Sequence, residues 1–192
     1  MNARRFRSVA LGSAIGLVVA LAVVWALGGF TGSSDSGSDN DASGLPKVPN
    51  LSGKSAPNDA LERFDGTKVS LTAYRGKPVI VNFWAASCAP CVKEMPAYEQ
   101  AHLHYGGDVT ILGVQTAENA DDGKDMIAKT AITYDTARDP QGTFAAKMGA
   151  VALPTSVWVS ADGKILDIHL GALNYDELTA KTNKLFGLGS SS

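Results

Sequence analysis

Hydrophobic positions fall into three regimes along the chain. From Val9 to Phe30 they run without a charge, from Thr31 to Lys54 they nearly vanish, and from Ser55 onward they form short strand-like runs and helical stripes. The first regime has 22 residues, about 33 Å as a helix, which spans a bilayer core. A secretory signal peptide has a shorter apolar region and a small-residue cleavage site, whereas Trp25, Leu27 and Phe30 carry this one to its end. An uncleaved signal anchor over residues 1–30 is therefore expected, with a cleaved signal peptide as the alternative. Arg4, Arg5 and Arg7 precede it, and the positive-inside rule puts them in the cytoplasm and everything after Phe30 on the outer side. Residues 31–54, rich in Gly, Ser, Asp and Asn, read as a flexible linker with an r.m.s. span of about 27 Å.

Beyond Ser55 the pattern alternates strand and helix. "ALERFDGTKVSL" sets two short apolar segments around Asp65-Gly66, a hairpin signal. "KPVIVNFWA" is a near-continuous apolar run suited to a central strand buried on both faces, and "VTILGVQT" is a second. Helices are expected from Pro90 to about Tyr105, Ala120 to about Thr130, Gln141 to about Met148, and Tyr175 to Phe186. "TSVWVSADGKILDIHL" gives a closing hairpin that turns at Asp162-Gly163. Together these predict an α/β fold with a mixed central sheet covered by helices on both faces.

Composition adds little and excludes one class. A formal net charge of -2, with no basic run after the first seven residues, lacks the footprint of a nucleic-acid binder.

The chemistry lies in "VNFWAASCAPCVKEMP", which holds the chain's two cysteines, Cys88 and Cys91. A disulfide between them closes a very short loop, which in the loop-entropy account adds little stability, so a structural staple is a poor reading. The N-terminus of a helix, by contrast, favours a thiolate. Cys88 is expected as the accessible, thiolate-rich attacking sulfur, and Cys91, one turn deeper, as the resolving one. A zinc knuckle lacks its other half, and His102 and His104, two apart on an expected helix, point to different sides. A copper site of both cysteines with His169 stays open by counting.

On "VNFWAASCAPCVKEMP", "ALPTSVWV" and the order of elements, the chain resembles the thioredoxin superfamily over roughly Ser55 to Phe186. It is most similar to the membrane-anchored branch, the TlpA, ResA and DsbE-like thiol-disulfide oxidoreductases. The resemblance implies a thioredoxin-like domain over 55–192 with a redox-active disulfide at Cys88 and Cys91 and no cofactor. It also implies a cis peptide bond at Pro154, with Leu153, Pro154 and Thr155 binding substrate. Relatives kink the active-site helix at the position of Pro96. The implied activity is exchange with cysteines of exported proteins, apocytochrome c among the candidates, with electrons from a membrane donor of the CcdA type. The domain is expected outside a cell membrane crossed once. Reduction is the expected direction; a DsbE-like oxidase or a thioredoxin-like copper chaperone are the alternatives, although Sco-type chaperones separate their cysteines by three residues. A peroxiredoxin fits less well.

Three positions depart from the relatives. Ser87 stands where many carry Trp, Asn82 where thioredoxin has a buried Asp, and Ala89 where ResA-like members have Glu. The proton-transfer group for Cys91 is thus not evident. Bulk water and Glu94 are the candidates, with Glu94 expected as a solvated helix residue.

Overall fold

A computed structural model describes residues 47–189. The expected anchor and most of the linker lie outside the described residues, among which no helix is long and apolar enough to cross a membrane. The end of the linker region is built into the fold. Gly53 N–H donates to the Ile165 carbonyl, Ile165 N–H to that of Lys54, and Leu51 packs on the core.

The chain runs β1 (Leu61–Glu62), β2 (Lys68–Val69), a 3-10 turn (Leu71–Tyr74), β3 (Val79–Trp84), α1 (Ala89–Tyr105), β4 (Thr110–Thr116), α2 (Ala120–Thr130), β5 (Asp135–Asp139), α3 (Thr143–Lys147), β6 (Thr155–Val159), β7 (Ile165–Leu170) and α4 (Tyr175–Phe186). The strands form one sheet in the order β2-β1-β5-β4-β3-β6-β7. β3, β4 and β5 are parallel and the other pairings antiparallel, the mixed sheet that the sequence predicts. Both expected hairpins form, β1 with β2 and β6 with β7.

Every residue of β3 is buried, because its alternating side chains enter two cores. Val79, Val81 and Phe83 join the cluster of Phe144, Ala145 and Met148 at α3. Ile80 and Trp84 join the cluster under α1 and α4 with Met95, Tyr98, Tyr134 and Leu178. Asn82 shares the second face and is the polar exception in β3, wholly buried. Opposite it in register is Gly113 of β4, where an added Cβ would come within 2.9 Å of the Tyr134 ring and 3.1 Å of Trp84 Nε1. That glycine lets the two aromatic rings close beneath α1.

β5 is absent from the sequence reading. "DTARD" has no apolar run, since only Ala137 and Asp139 are buried. Its pairing comes from β4 on one side and Glu62 of β1 on the other.

Candidate active site

The cysteines sit where β3 ends and α1 begins. Cys88 is the N-cap, with extended backbone (φ -88°, ψ 96°), and Ala89 and Pro90 open the helix, where Pro sacrifices no intrahelical bond. The two sulfurs are bonded in a disulfide, with Cα atoms 5.3 Å apart. Cys91 N–H donates to Cys88 Sγ at 3.3 Å, so the sulfur takes the place of a capping oxygen. Cys88 is partly exposed and Cys91 fully buried. Only Cys88 can meet a substrate without a rearrangement, as the sequence suggests.

The Leu153–Pro154 peptide bond is cis. It immediately precedes β6, and Thr155 pairs in register with Phe83 near the end of β3, so the cis bond and the cysteine loop share one end of the sheet. Thr155 turns its hydroxyl back to the Ala152 carbonyl at 2.6 Å. Leu153 and Cys88 both pack on the cluster that contains Cys91, and Val151, two residues before Leu153, is 46% exposed.

Glu94 departs from its expectation as a solvated residue. It lies three residues after Cys91, on the same face of α1, and is only 3% exposed. The Asn82 side-chain amide donates to its Oε1 at 2.8 Å, and Leu173 N–H donates to its Oε2 at 3.0 Å. Burial outweighs both bonds and pushes this carboxyl up to about 7. A carboxyl that titrates near neutrality one turn below Cys91 can give and take a proton there. Pro96, two residues on, lies inside α1, which continues through it.

A second carboxylate, Glu118, escaped the sequence reading. Its Oε2 accepts from Ala86 N–H at 2.6 Å, and its Oε1 accepts from Ser87 N–H at 3.0 Å and from the Ser87 hydroxyl at 2.5 Å. Burial works against its charge, but the bonds from Ser87 and Ala86 prevail and hold the carboxyl below its usual range. Glu118 thereby ties the loop after β4 to the residues just before Cys88. The signal was positional: in open parallel sheets, functional groups gather at the carboxyl ends of neighbouring strands, here β3 and β4. Ser87, the departure from Trp, supplies the hydroxyl of this clamp.

The histidines stay apart from the sulfurs in role. His102 meets the Tyr134 ring edge-on, and His104 meets Tyr105 and Tyr175. His169 on β7 pairs with Ser156, and burial, with Lys181 of α4 next, lowers its pKa. Among the described residues no group of three or more His, Cys, Asp or Glu is arranged to hold a metal ion. The copper alternative finds no ligand set there.

Comparison with known proteins agrees with this geometry. The AhpC/TSA family matches residues 52–168. The chain belongs to that family. It is 30% identical over 134 residues to the thiol-disulfide oxidoreductase ResA of Bacillus thuringiensis subsp. konkukian, covering 69% of this chain and 78% of the relative. The thioredoxin-like protein YneN of Bacillus subtilis is 32% identical over 133 residues, 67% of this chain and 77% of that protein. Among solved structures, a candidate thiol:disulfide interchange protein DsbE from Chlorobium tepidum superposes with a TM-score of 0.65 at 28% identity, over 72% of this chain and 98% of its own. The protein is thus an enzyme, a thiol-disulfide oxidoreductase of ResA/DsbE type with a thioredoxin-like fold.

Proposed function

We propose that this enzyme reduces disulfides of exported proteins on the outer face of a membrane that its N-terminal segment crosses once. In the working step, the Cys88 thiolate attacks a substrate disulfide. The Cys88–substrate S–S bond forms, and the substrate's own S–S bond breaks with release of one thiolate. Cys91 gives its proton to Glu94 and attacks Cys88 Sγ, which closes the Cys88–Cys91 disulfide and releases the second substrate thiolate. Two electrons pass to the substrate, and a membrane dithiol donor of the CcdA type restores the reduced pair by the reverse sequence. Leu153, Pro154 and Thr155 hold the substrate chain beside Cys88, with apocytochrome c a candidate on the strength of the resemblance.

The observation that carries the direction is the pair of carboxylates around the sulfurs. Glu94 lies one turn beyond Cys91, and Glu118 holds Ser87, the neighbour of Cys88. Negative charge at either place disfavours a thiolate and so favours the disulfide. A couple whose disulfide is favoured is a reductant. Equilibration of the protein with glutathione buffers tests this. The midpoint at pH 7 is expected near the thioredoxin end of the scale, about -270 mV, and a value above about -150 mV indicates an oxidase instead.

A further inference from the structure

Beneath the sulfurs lies a chain of buried polar groups that the exchange steps do not use. Asn82 Nδ2 donates to Glu94 Oε1 at 2.8 Å and to Ser156 Oγ at 3.3 Å, and Ser156 Oγ lies 2.5 Å from the Tyr98 hydroxyl, with either able to donate. Asn82, Ser156 and Tyr98 are all fully buried. Among the described residues, Asn82 Oδ1 is buried and finds no hydrogen-bond partner. An orphaned acceptor in a core is destabilising, and residues that keep one call for an explanation.

The two groups bonded to Glu94, the Asn82 amide and Leu173 N–H, are both donors, which suits a carboxylate. A protonated carboxyl needs an acceptor as well. Asn82 can supply it, because rotating its amide brings Oδ1 to the place of Nδ2. The anchor tolerates the exchange: Ser156 then donates to Oδ1 and Tyr98 donates to Ser156, since both hydroxyls can reverse. The orphaned position passes from an acceptor to a donor, while the pair facing Glu94 is satisfied in both states.

We propose that Asn82 is the positioning residue for Glu94: its amide, anchored on Ser156 and Tyr98, donates to the carboxylate and rotates to accept from the carboxylic acid. The carboxyl therefore keeps its place on the Cys91 face of α1 through the proton cycle. The groups facing Glu94 besides Asn82 are the phenols of Tyr98 and Tyr134, whose pKa values burial raises first and the Glu94 charge raises further. Lys93, Tyr175 and Glu177 line the groove of about 480 Å³ that reaches Glu94 from outside. The proposal rests on Glu94 as the proton carrier, but its geometry is testable without turnover.

The test is infrared titration of the oxidised full-length protein, following the protonated-carboxyl stretch that Glu94→Gln abolishes. Asn82→Leu, which can neither donate nor accept, should move the Glu94 midpoint upward by about one pH unit or more, tenfold in proton affinity, because the carboxylate loses a charge-assisted bond. The stretch itself should rise in frequency, as a free acid does, whereas a merely structural role leaves it at the wild-type position. Should Asn82→Leu not fold, Ser156→Ala keeps the Asn82–Glu94 bond, removes its anchor, and should shift both readouts in the same direction by less. Tyr134→Phe should change neither. A wild-type midpoint and stretch in the Asn82 or Ser156 variants, or an equal effect from Tyr134→Phe, overturns the proposal. Failure of Glu94 as proton carrier would show separately, as undiminished exchange by Glu94→Gln.

Discussion

Glu94 shows at the scale of one residue what a sequence conceals. Its spacing from Cys91 was legible, but its burial depends on Leu173, 79 positions away, whose N–H closes over the carboxyl. No local pattern announces such a cover. The consequence is a pH-dependent stability. The folded carboxyl titrates at about 7 against a usual 4.5, so the native state holds this proton more tightly than the unfolded chain. That contribution is fully present below about pH 4.5 and is lost as pH rises through 7, about 3 kcal/mol in all. Urea unfolding of the oxidised protein should therefore show the wild type losing about 3 kcal/mol more than Glu94→Gln between pH 4.5 and 8. Parallel pH profiles for the two proteins would remove the raised titration.

Among the elements, those with an apolar period were legible and those defined by pairing were not. β3, β4 and the four helices follow from runs and stripes, and α4 adds a capping box in which Asn174 and Glu177 bond each other's backbone. β5 does not, because it is made a strand by its neighbours. The loop after β4 belongs with it: Glu118 acts on the cysteine loop only once two parallel strands lie side by side. Its charge, held on Ser87 next to Cys88, is expected to work against the helix N-terminus, which favours a thiolate there. Accessibility selects Cys88 over the buried Cys91. In the reduced protein, iodoacetamide at about pH 6.5 should label Cys88 first, and Glu118→Gln should speed that labelling about threefold, the effect of half a pKa unit. Unchanged or slower labelling in peptide maps would mean that Glu118 positions the loop without acting through its charge.

For the whole molecule, the two motifs that sit 60 and more residues apart in the chain, the cysteine loop and Pro154, meet because β6 pairs with β3. That meeting was readable through resemblance rather than from either motif alone. Under the proposed function, Cys88 exchanges with cysteines of exported proteins while Cys91 resolves. The most direct measurement expresses the full-length Cys91→Ser variant in its own host and identifies covalent partners by mass spectrometry. Reducible adducts through Cys88 with exported cysteine-bearing proteins are expected, all lost in the Cys88→Ser, Cys91→Ser double variant. Adducts confined to cytoplasmic proteins, or none where Cys88→Ser traps them through Cys91, would contradict the proposed function.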